Sequence, residues 1–268
     1  MDNRPIGFFD SGFGGLTALK AFRQLMPEEN IIYFGDTGRM PYGPRPAAQL
    51  RRMAMQDLEL LRGCGVKAIL AACGTVSSTA GDLLDAYPLP VTGVLRPGVK
   101  ALAEFAGDAP LGVLATQASI NSGAFRRELE RCGAEQNAIY MACPDFVPLI
   151  ESGHYSPDDA AVREAVSKYL RPMRDAGVRA ILLGCTHYGL IEQAIQDYMG
   201  KETRLVSASE SAARELRDTL SAIGISGGSG KERYLTSGAT EDFGRMAAIF
   251  LGWQPASLAE YVPPMEVE

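Results

Sequence analysis

Short apolar runs alternate with longer amphipathic segments along the whole chain. The apolar runs have the length of buried strands, whereas the segments between them, such as GGLTALKAFRQLM, repeat apolar residues at helical spacing. Strands separated by helices of this length predict a parallel sheet with helices on its faces, and hence an α/β fold. The predicted strands are residues 5–10, 30–36, 66–73, 90–95, 111–116, 138–143, 178–185 and 203–208.

Two of the predicted strands lie in stretches that align with each other without gaps. GVKAILAACGTVS at residues 65–77 matches GVRAILLGCTHYG at residues 177–189, with a constant separation of 112 residues. Gly, Val, Ala, Ile, Leu and Cys recur at the same places, so that Cys73 has a twin in Cys185. A thiol repeated at the end of two matched strands indicates a role beyond packing.

A second, weaker match precedes the first in the same order. LGVLATQ at residues 111–117 corresponds to IGFFDSG at residues 6–12. Together the two matches predict two similar α/β units with a boundary near residues 106–110. The alternative is one larger doubly wound sheet in which the similarity arises by chance.

Both thiols directly follow an apolar run, and therefore lie where parallel strands end. In open parallel sheets, ligands bind just beyond the carboxyl ends of the strands. If an approximate twofold axis relates the units, these edges face each other across one cleft, and the thiols approach one ligand from opposite sides. The same edges carry small polar groups that suit a ligand: Asp10, Ser11, Thr75, Thr116, Ser119, Thr186 and His187.

Two facing thiols suit proton transfer at a carbon acid. An unperturbed thiol titrates at about pH 8.5, so that a modest local shift yields a thiolate. One thiolate then removes a proton from one face of a carbon, and the other thiol returns a proton to the opposite face, which inverts the stereocentre. Asp10 and His187 are placed to tune one thiol each. Acyl transfer by a Cys–His pair is a weaker alternative, because the position equivalent to His187 is Thr75, which is not basic.

The remaining cysteines and the second histidine are interpreted as structural. A free cysteine is more often a small buried hydrophobe than a nucleophile. This is our expectation for Cys64, Cys132 and Cys143. His154 is expected in a surface loop. A zinc site is disfavoured, because Cys185 and His187 lack the usual four-ligand spacing, and DSGFGG lacks the Gly-Lys-Ser/Thr of a phosphate-binding loop.

Composition and charge narrow the class of protein. The 268 residues are 46% hydrophobic and 22% charged, with a formal net charge of −6. No dense cationic cluster favours nucleic acid, and the basic stretch at residues 45–53 is interpreted as a solvated helix face. No apolar run reaches the roughly 18 residues that span a membrane, and the first residues do not resemble a signal peptide. Five scattered cysteines without a CxxC pair fit a reducing compartment, so a cytoplasmic protein is expected.

These motifs resemble those of the glutamate racemases, in the cofactor-independent aspartate/glutamate racemase superfamily. The chain contains, in that family's order and spacing, FDSGFGGLTAL, IIYFGDTGRMPYG, GVKAILAACGT, ACPDFVPLIESG and ILLGCTHYGLI. TSGATEDFGRMAAIFLG is similar to the family's C-terminal segment. The resemblance covers roughly residues 6–252 and implies two pseudosymmetric, doubly wound parallel-sheet domains with the active site between them. The first would comprise residues 1–96 and 208–268, and the second residues 97–207.

The resemblance also implies roles for individual residues. The catalytic set would be Cys73 and Cys185 as the paired acid and base, with Asp10, His187 and Glu151. The substrate-binding set would be Asp10, Ser11, Pro41, Tyr42, Gly43, Gly74, Thr75, Thr116, Ser119 and Thr186. It implies neither a cofactor nor a metal.

The chain departs from the family at four positions. Gly74 replaces an Asn whose side chain helps to hold the substrate, Arg96 replaces Glu, Ser207 replaces Asp and Gly189 replaces Pro. A hydrogen bond from a side-chain amide to a charged substrate group contributes roughly 1.5–3 kcal/mol to binding. We therefore expect Gly74→Asn to improve the use of glutamate, unless the pocket serves another ligand. Arg96 precedes a Pro-Gly turn, and is expected at a domain or subunit contact.

The function implied by the resemblance is interconversion of L- and D-glutamate, which would supply D-glutamate for peptidoglycan. Its partner would be the small amino acid, with no nucleic acid or membrane partner, and a homodimer is possible. One alternative is a racemase of the same superfamily with another substrate. Another is a binding or regulatory homologue with weakened turnover, against which the two retained thiols argue. Oligomeric state and effectors are left open.

Overall fold

The computed structural model describes residues 2–107, 109–135 and 137–264. Within them the chain forms ten strands, which include all eight that the hydrophobic pattern predicts. The strands are β1 Ile6–Asp10, β2 Ile31–Gly35, β3 Ala68–Ala71, β4 Val91–Gly93, β5 Leu111–Ala115, β6 Ala138–Ala142, β7 Ala180–Leu183, β8 Arg204–Ser207, β9 Glu232–Thr236 and β10 Glu260–Tyr261.

Helices follow most of the strands, as the amphipathic segments predict. They are α1 Leu16–Leu25, α2 Ala47–Gly63, α3 Gly74–Thr79, α4 Gly81–Ala86, α5 Leu95–Ala103, α6 Gln117–Asn121, α7 Ala124–Arg131, α8 Phe146–Glu151, α9 Ala160–Asp175, α10 Glu192–Met199, α11 Ala208–Ile223 and α12 Thr240–Leu251, with 3₁₀ helices at Thr37–Arg39 and Thr186–Ile191. In the part of the chain described, no helix is long and apolar enough to cross a membrane.

The strands form two parallel sheets rather than one. The first has the order β10-β9-β2-β1-β3-β4, and the second has the order β6-β5-β7-β8. The order β2-β1-β3-β4 therefore recurs in β6-β5-β7-β8. The register recurs as well, because Ile6 pairs with Ala68 and Leu111 pairs with Ala180. The sequence repeat is thus a repeat of structure, and the alternative of one larger sheet is wrong.

The two sheets support the proposed division of the chain into two units. Strands β1–β4, β9 and β10 belong to the first sheet, and β5–β8 belong to the second. The division into 1–96 plus 208–268 and 97–207 stays a prediction. Residues 265–268, and Asp108 within the predicted boundary at 106–110, lie outside the described residues.

The C-terminal part of the first sheet escaped the sequence prediction. Strand β9 begins with two charged side chains, Glu232 and Arg233, and β10 has only two residues, so neither gives an apolar run. The prediction that all strands are buried is wrong for β6, whose five residues are only half-buried because it lies at a sheet edge.

The glycine-rich segment 226–230 is more constrained than a flexible surface turn. A Cβ on Gly228 would lie 2.4 Å from the carbonyl oxygen of Glu28. Gly227 donates its N–H to Glu29 and accepts a hydrogen bond from the Lys67 ammonium. Lys67 and Glu29 form a fully buried ion pair of 2.7 Å, which ties this segment to the start of the first sheet.

Arg96 lies in the first turn of α5, so Pro97 and Gly98 belong to a helix and the predicted Pro-Gly turn is wrong. Its guanidinium donates two hydrogen bonds to Asp85, of 2.6 and 2.7 Å, and lies 3.8 Å from Glu128 of α7. Asp85 belongs to α4, which follows the first sheet's β3, whereas α7 follows β5 of the second sheet. Arg96 therefore connects the two halves.

Candidate active site

A cavity of about 1000 Å³ lies where strands of both sheets end. Its wall contains residues that follow β1, β3, β5, β6 and β7, as expected for a ligand site at the carboxyl edges of parallel sheets. Most of the predicted site residues line it, namely Asp10, Ser11, Pro41, Tyr42, Gly43, Cys73, Gly74, Thr75, Thr116, Glu151, Cys185, Thr186 and His187.

Matched hydroxyls join the two halves beside this cavity. The Thr75 and Thr116 hydroxyls lie 3.2 Å apart, and one turn further on, Ser78 donates to Ser119 over 3.1 Å. Ser119 is fully buried and is not among the residues that line the cavity, and its predicted contact with substrate stays a prediction. Its hydroxyl accepts a 2.9 Å hydrogen bond from Thr116, and so holds that side chain in place.

Gly74 marks a close approach of the two strand ends that carry the thiols. A Cβ at this position would lie 2.6 Å from the carbonyl oxygen of Gly184 and 3.9 Å from the Cα of Cys185. A contact below 3 Å with backbone requires the backbone to shift. Gly74→Asn would therefore push the strand ends apart. This contact reverses our expectation that Gly74→Asn improves the use of glutamate.

Cys73 lies in a buried and electronegative environment. Its thiol is 3.6 Å from the Ser11 hydroxyl, to which it donates a weak hydrogen bond. Burial, and then the negative charge of Asp10, raise the pKa of Cys73 to about 12. The surroundings of Cys73 thus favour the protonated thiol.

Asp10 is almost fully buried, yet only half of its carboxylate is used within the protein. Oδ2 accepts a 3.0 Å hydrogen bond from the N–H of Gly12, whereas Oδ1 has no hydrogen-bond partner in the described residues. Burial raises the pKa of Asp10, and the charge of His187 only partly offsets this effect. An unpaired buried acceptor at a cavity wall suits a cationic ligand group such as an ammonium.

Cys185 has a basic neighbour instead. Its sulfur lies 3.9 Å from Nδ1 of His187, and Nε2 of the same ring lies 3.1 Å from Oε1 of Glu151. Burial lowers the pKa of His187, but the hydrogen bonds to Cys185 and Glu151 outweigh burial and raise it to about 10. A protonated imidazole stabilises negative charge on the adjacent sulfur.

The glycines of DSGFGG serve packing at this site. A Cβ on Gly14 would lie 2.3 Å from the Thr186 hydroxyl and 2.4 Å from Nδ1 of His187. The next turn adds a link, since the Thr17 hydroxyl lies 3.2 Å from the Thr186 carbonyl oxygen and 2.8 Å from the Ser209 hydroxyl. Glycine at position 14 therefore allows α1 to approach the segment that carries Cys185.

Several residues that line the cavity were not predicted as site residues from the sequence. Cys143 is buried, as expected, but it lines the cavity. Like Cys73 and Cys185 it ends a predicted strand, 138–143, but it has no twin in the sequence repeat. Tyr42 lines the cavity, but its hydroxyl points into the protein and contacts Asp57. The other lining polar residues that we did not predict are Arg45, Ser78, Thr79, Gln117, Asn121, Ser122 and Arg127.

His154 lies outside the thiol pair, and its surroundings can be compared with the predicted surface loop. His154 is half-exposed and pairs with Asp159 at 2.7 Å, in agreement with a surface loop. Across residues 2–107, 109–135 and 137–264, no group of three or more His, Cys, Asp and Glu side chains is arranged to hold a metal ion.

Comparison with known proteins identifies the class to which this fold and site belong. A family model described as Asp/Glu/hydantoin racemase matches residues 18–216. The chain belongs to this racemase family. Its curated full-length relatives include glutamate racemases, of which the one from Beutenbergia cavernae is 40% identical over 94% of this chain and 91% of its own length.

Solved structures agree with that assignment. A glutamate racemase isoform from Bacillus anthracis superimposes with a TM-score of 0.92 at 30% identity, covering 99% of this chain and 100% of its own. The glutamate racemase from Francisella tularensis, solved in complex with D-glutamate, superimposes with a TM-score of 0.89 at 32% identity, covering 98% of both chains.

Proposed function

We propose that this isomerase interconverts L- and D-glutamate, with Cys73 and Cys185 as the two proton carriers. The observation that carries the proposal is their placement. Both thiols end equivalent strands of two related sheets, and both line the same cavity. Glutamate racemase relatives of full length, and a relative solved with D-glutamate, support the choice of substrate.

The mechanism follows from the charges around the two sulfurs. With one enantiomer bound, the Cys185 thiolate takes the proton from Cα, and the C–H electron pair stays on the carbon, delocalised into the carboxylate. The Cys73 thiol then gives its proton to the opposite face, so that the product has inverted configuration and the two sulfurs have exchanged roles. The other enantiomer reacts in the reverse direction.

Polar groups around the thiols account for binding of the amino acid. The unpaired Oδ1 of Asp10 accepts a hydrogen bond from the substrate ammonium, and the Thr186 hydroxyl, which also lines the cavity, donates to one of its carboxylate groups. His187, which contacts both Cys185 and Glu151, places a positive charge beside the Cys185 sulfur. The D-glutamate formed would serve peptidoglycan synthesis in the cytoplasm, and assembly into a homodimer stays a prediction.

Racemisation in deuterated water tests the two-thiol assignment. Each thiol exchanges its proton with solvent, and the proton removed by one is not the proton returned by the other. We expect deuterium in the product enantiomer from the first turnovers, while recovered substrate stays largely protiated. Cys73→Ala and Cys185→Ala should each abolish racemisation, whereas Cys64→Ala and Cys132→Ala, which lie outside the cavity, should retain it.

Two results would overturn this assignment. Racemisation retained after either Cys73→Ala or Cys185→Ala contradicts two carriers, and equal early deuteration of substrate and product indicates one base that reaches both faces. The substrate is tested separately by assaying a panel of L- and D-amino acids. If the protein prefers an amino acid other than glutamate, Gly74, in place of the Asn found in the family, would account for the different specificity.

A further inference from the structure

Behind the cavity wall lies a cluster of four buried polar side chains, Asp36, Arg39, Tyr42 and Asp57. None is more than 8% exposed. Asp36 directly follows β2, Arg39 and Tyr42 belong to the segment after it, and Asp57 belongs to helix α2. Asp57 does not line the cavity, and the two-thiol mechanism does not use it.

The side chains of the cluster are closely bonded to each other. The Arg39 guanidinium donates to Asp36 over 2.6 Å and to Asp57 over 2.8 Å. The Tyr42 hydroxyl makes a short hydrogen bond with Asp36 and lies 3.0 Å from Oδ2 of Asp57. Ser237 adds a 2.6 Å hydrogen bond to the second oxygen of Asp36.

Counting hydrogens at the Tyr42 hydroxyl determines the protonation of the cluster. A phenol has one hydrogen, but two carboxyl groups lie within hydrogen-bond distance of its oxygen. Both contacts are satisfied only if one carboxyl group carries a proton and donates it to Tyr42. Asp36 already accepts from Arg39, Ser237 and Tyr42, as an ionised carboxylate does.

The proton therefore belongs to Asp57, the more distant of the two carboxyl groups. One guanidinium then balances one carboxylate, so that the cluster as a whole is neutral. Neutrality matters because a net buried charge is strongly disfavoured. Burial, and then the charge of Asp36, raise the pKa of Asp57 well above its usual range, against the opposing effect of Arg39.

The cluster holds a short segment of the cavity wall at both ends. Arg39 and Tyr42 are the two residues bonded to Asp57, and Met40 and Pro41 lie between them. Met40, Pro41, Tyr42 and Gly43 all line the cavity. Removing the Asp57 carboxyl group would leave donors of Arg39 and the hydroxyl of Tyr42 with fewer partners, and the segment could then shift relative to the cavity.

We infer that Asp57, as a neutral carboxylic acid outside the cavity, is a positioning residue that fixes residues 40–43 for substrate binding. The inference rests on the proposed function, because it takes glutamate as the substrate that contacts this wall. Asp57 acts through Arg39 and Tyr42 and takes no part in proton transfer. Its loss should therefore affect binding of glutamate far more than turnover.

The experiment compares Asp57→Ala with Asp57→Asn. Asn has nearly the same shape as a neutral acid, and its amide donates to Tyr42 while its carbonyl accepts from Arg39. We expect Asp57→Ala to raise KM for glutamate about 10-fold with kcat changed less than about threefold, and Asp57→Asn to recover most of the loss. The matched control is Asp82→Ala. Asp82 is an exposed aspartate of α4 that pairs with Arg51 of α2, the helix that also carries Asp57.

Infrared difference spectra supply a readout that needs no activity. The difference between the spectrum of wild type and that of Asp57→Asn should show the carbonyl stretch of a protonated carboxylic acid at neutral pH. Absence of this band, or an Asp57→Asn variant as impaired as Asp57→Ala, would overturn the neutral acid. An unchanged KM in Asp57→Ala, or a fall in kcat alone, would overturn positioning. If wild type does not racemise glutamate, the proposed function fails, whereas the infrared result still decides the state of Asp57.

Discussion

The surroundings of Cys73 and Cys185 differ although the backbone places the two residues equivalently. Cys73 follows β3, which pairs with β1, and Cys185 follows β7, which pairs with β5. Cys73 has the carboxylate of Asp10 nearby, and its pKa is raised to about 12 by burial and by that charge. Cys185 has the imidazole of His187 instead, itself bonded to Glu151.

Asp10 and His187, the charged neighbours of the thiols, are not repeated in the two halves, although the thiols are. The position equivalent to Asp10 is Ala115 in the second sheet, and the position equivalent to His187 is Thr75 in the first half. Each half has therefore kept its thiol and acquired a different charged neighbour. Because their neighbours carry opposite charges, two like groups can work as an acid and a base. A racemisation cycle starts with one protonated and one ionised carrier, and opposite local charges favour that state.

Removing the charge beside Cys185 should have the largest effect on this asymmetry. We expect His187→Asn to lower kcat/KM by roughly 100-fold, because the Cys185 thiolate loses its cationic partner. Since enantiomers have equal free energy, kcat/KM must fall equally in both directions. The asymmetry should appear with α-deuterated substrates, as a larger isotope effect for the enantiomer that Cys185 deprotonates.

The other histidine supplies the control for that measurement. His154→Asn changes a half-exposed residue bonded to Asp159, and should leave kcat/KM within about twofold of wild type. An increase in isotope effect that is equal for both enantiomers of glutamate would show that His187 does not act through Cys185.

Separating the two thiols should have the next largest effect. We expect Gly74→Asn to reduce kcat/KM about 10-fold, and to lower the free energy of unfolding by about 1–3 kcal/mol, because a Cβ there meets the Gly184 carbonyl. Gly81→Asn is the control, since a Cβ on Gly81 has open space around it. Higher kcat/KM for glutamate in Gly74→Asn would show that the backbone relaxes and that the new amide binds substrate.

Weakening the partner of His187 should shift the pH dependence. The pKa of His187 is raised to about 10, so its proton stays bound at neutral pH and is lost only as the pH rises towards that value. Glu151→Gln removes a group that raises this pKa, and the alkaline limb of kcat/KM should move to lower pH. NMR titration of the two imidazoles, with His154→Gln to identify the signals, measures the shift directly. An unchanged pKa of His187 would contradict the role of Glu151.

The smallest effect is expected where the halves are joined at the surface. Arg96→Ala removes a half-exposed ion pair with Asp85, and exposed pairs contribute about 1 kcal/mol or less. Thermal unfolding should shift slightly, and the ratio of glutamate to aspartate use should stay constant. Arg245→Ala breaks an exposed pair within one helix and is the matched control. A changed substrate ratio would show that Arg96 influences the cavity.

Local pattern was enough for most of the fold. Apolar runs of strand length predicted eight strands, because a buried parallel strand must be apolar on both faces. The same logic failed for β9, since its charged residues Glu232 and Arg233 interrupt the run. It also over-predicted burial for β6, because edge position depends on strand order, which the pattern of one strand does not contain.

The placement of two matched thiols at the ends of two buried strands could be read from the sequence, because the repeat and the apolar runs are properties of neighbouring residues. The groups that surround each thiol could be found only in the folded structure. It placed Ser119 behind Thr116, brought Gly74 against Gly184, and set Asp57 against Tyr42. The contact of Gly74 with Gly184 joins segments far apart in the chain, whereas the other two contacts join neighbouring parts of it. Their distances depend on how helices pack across two sheets, and that packing determines the charge and protonation of every group at the site.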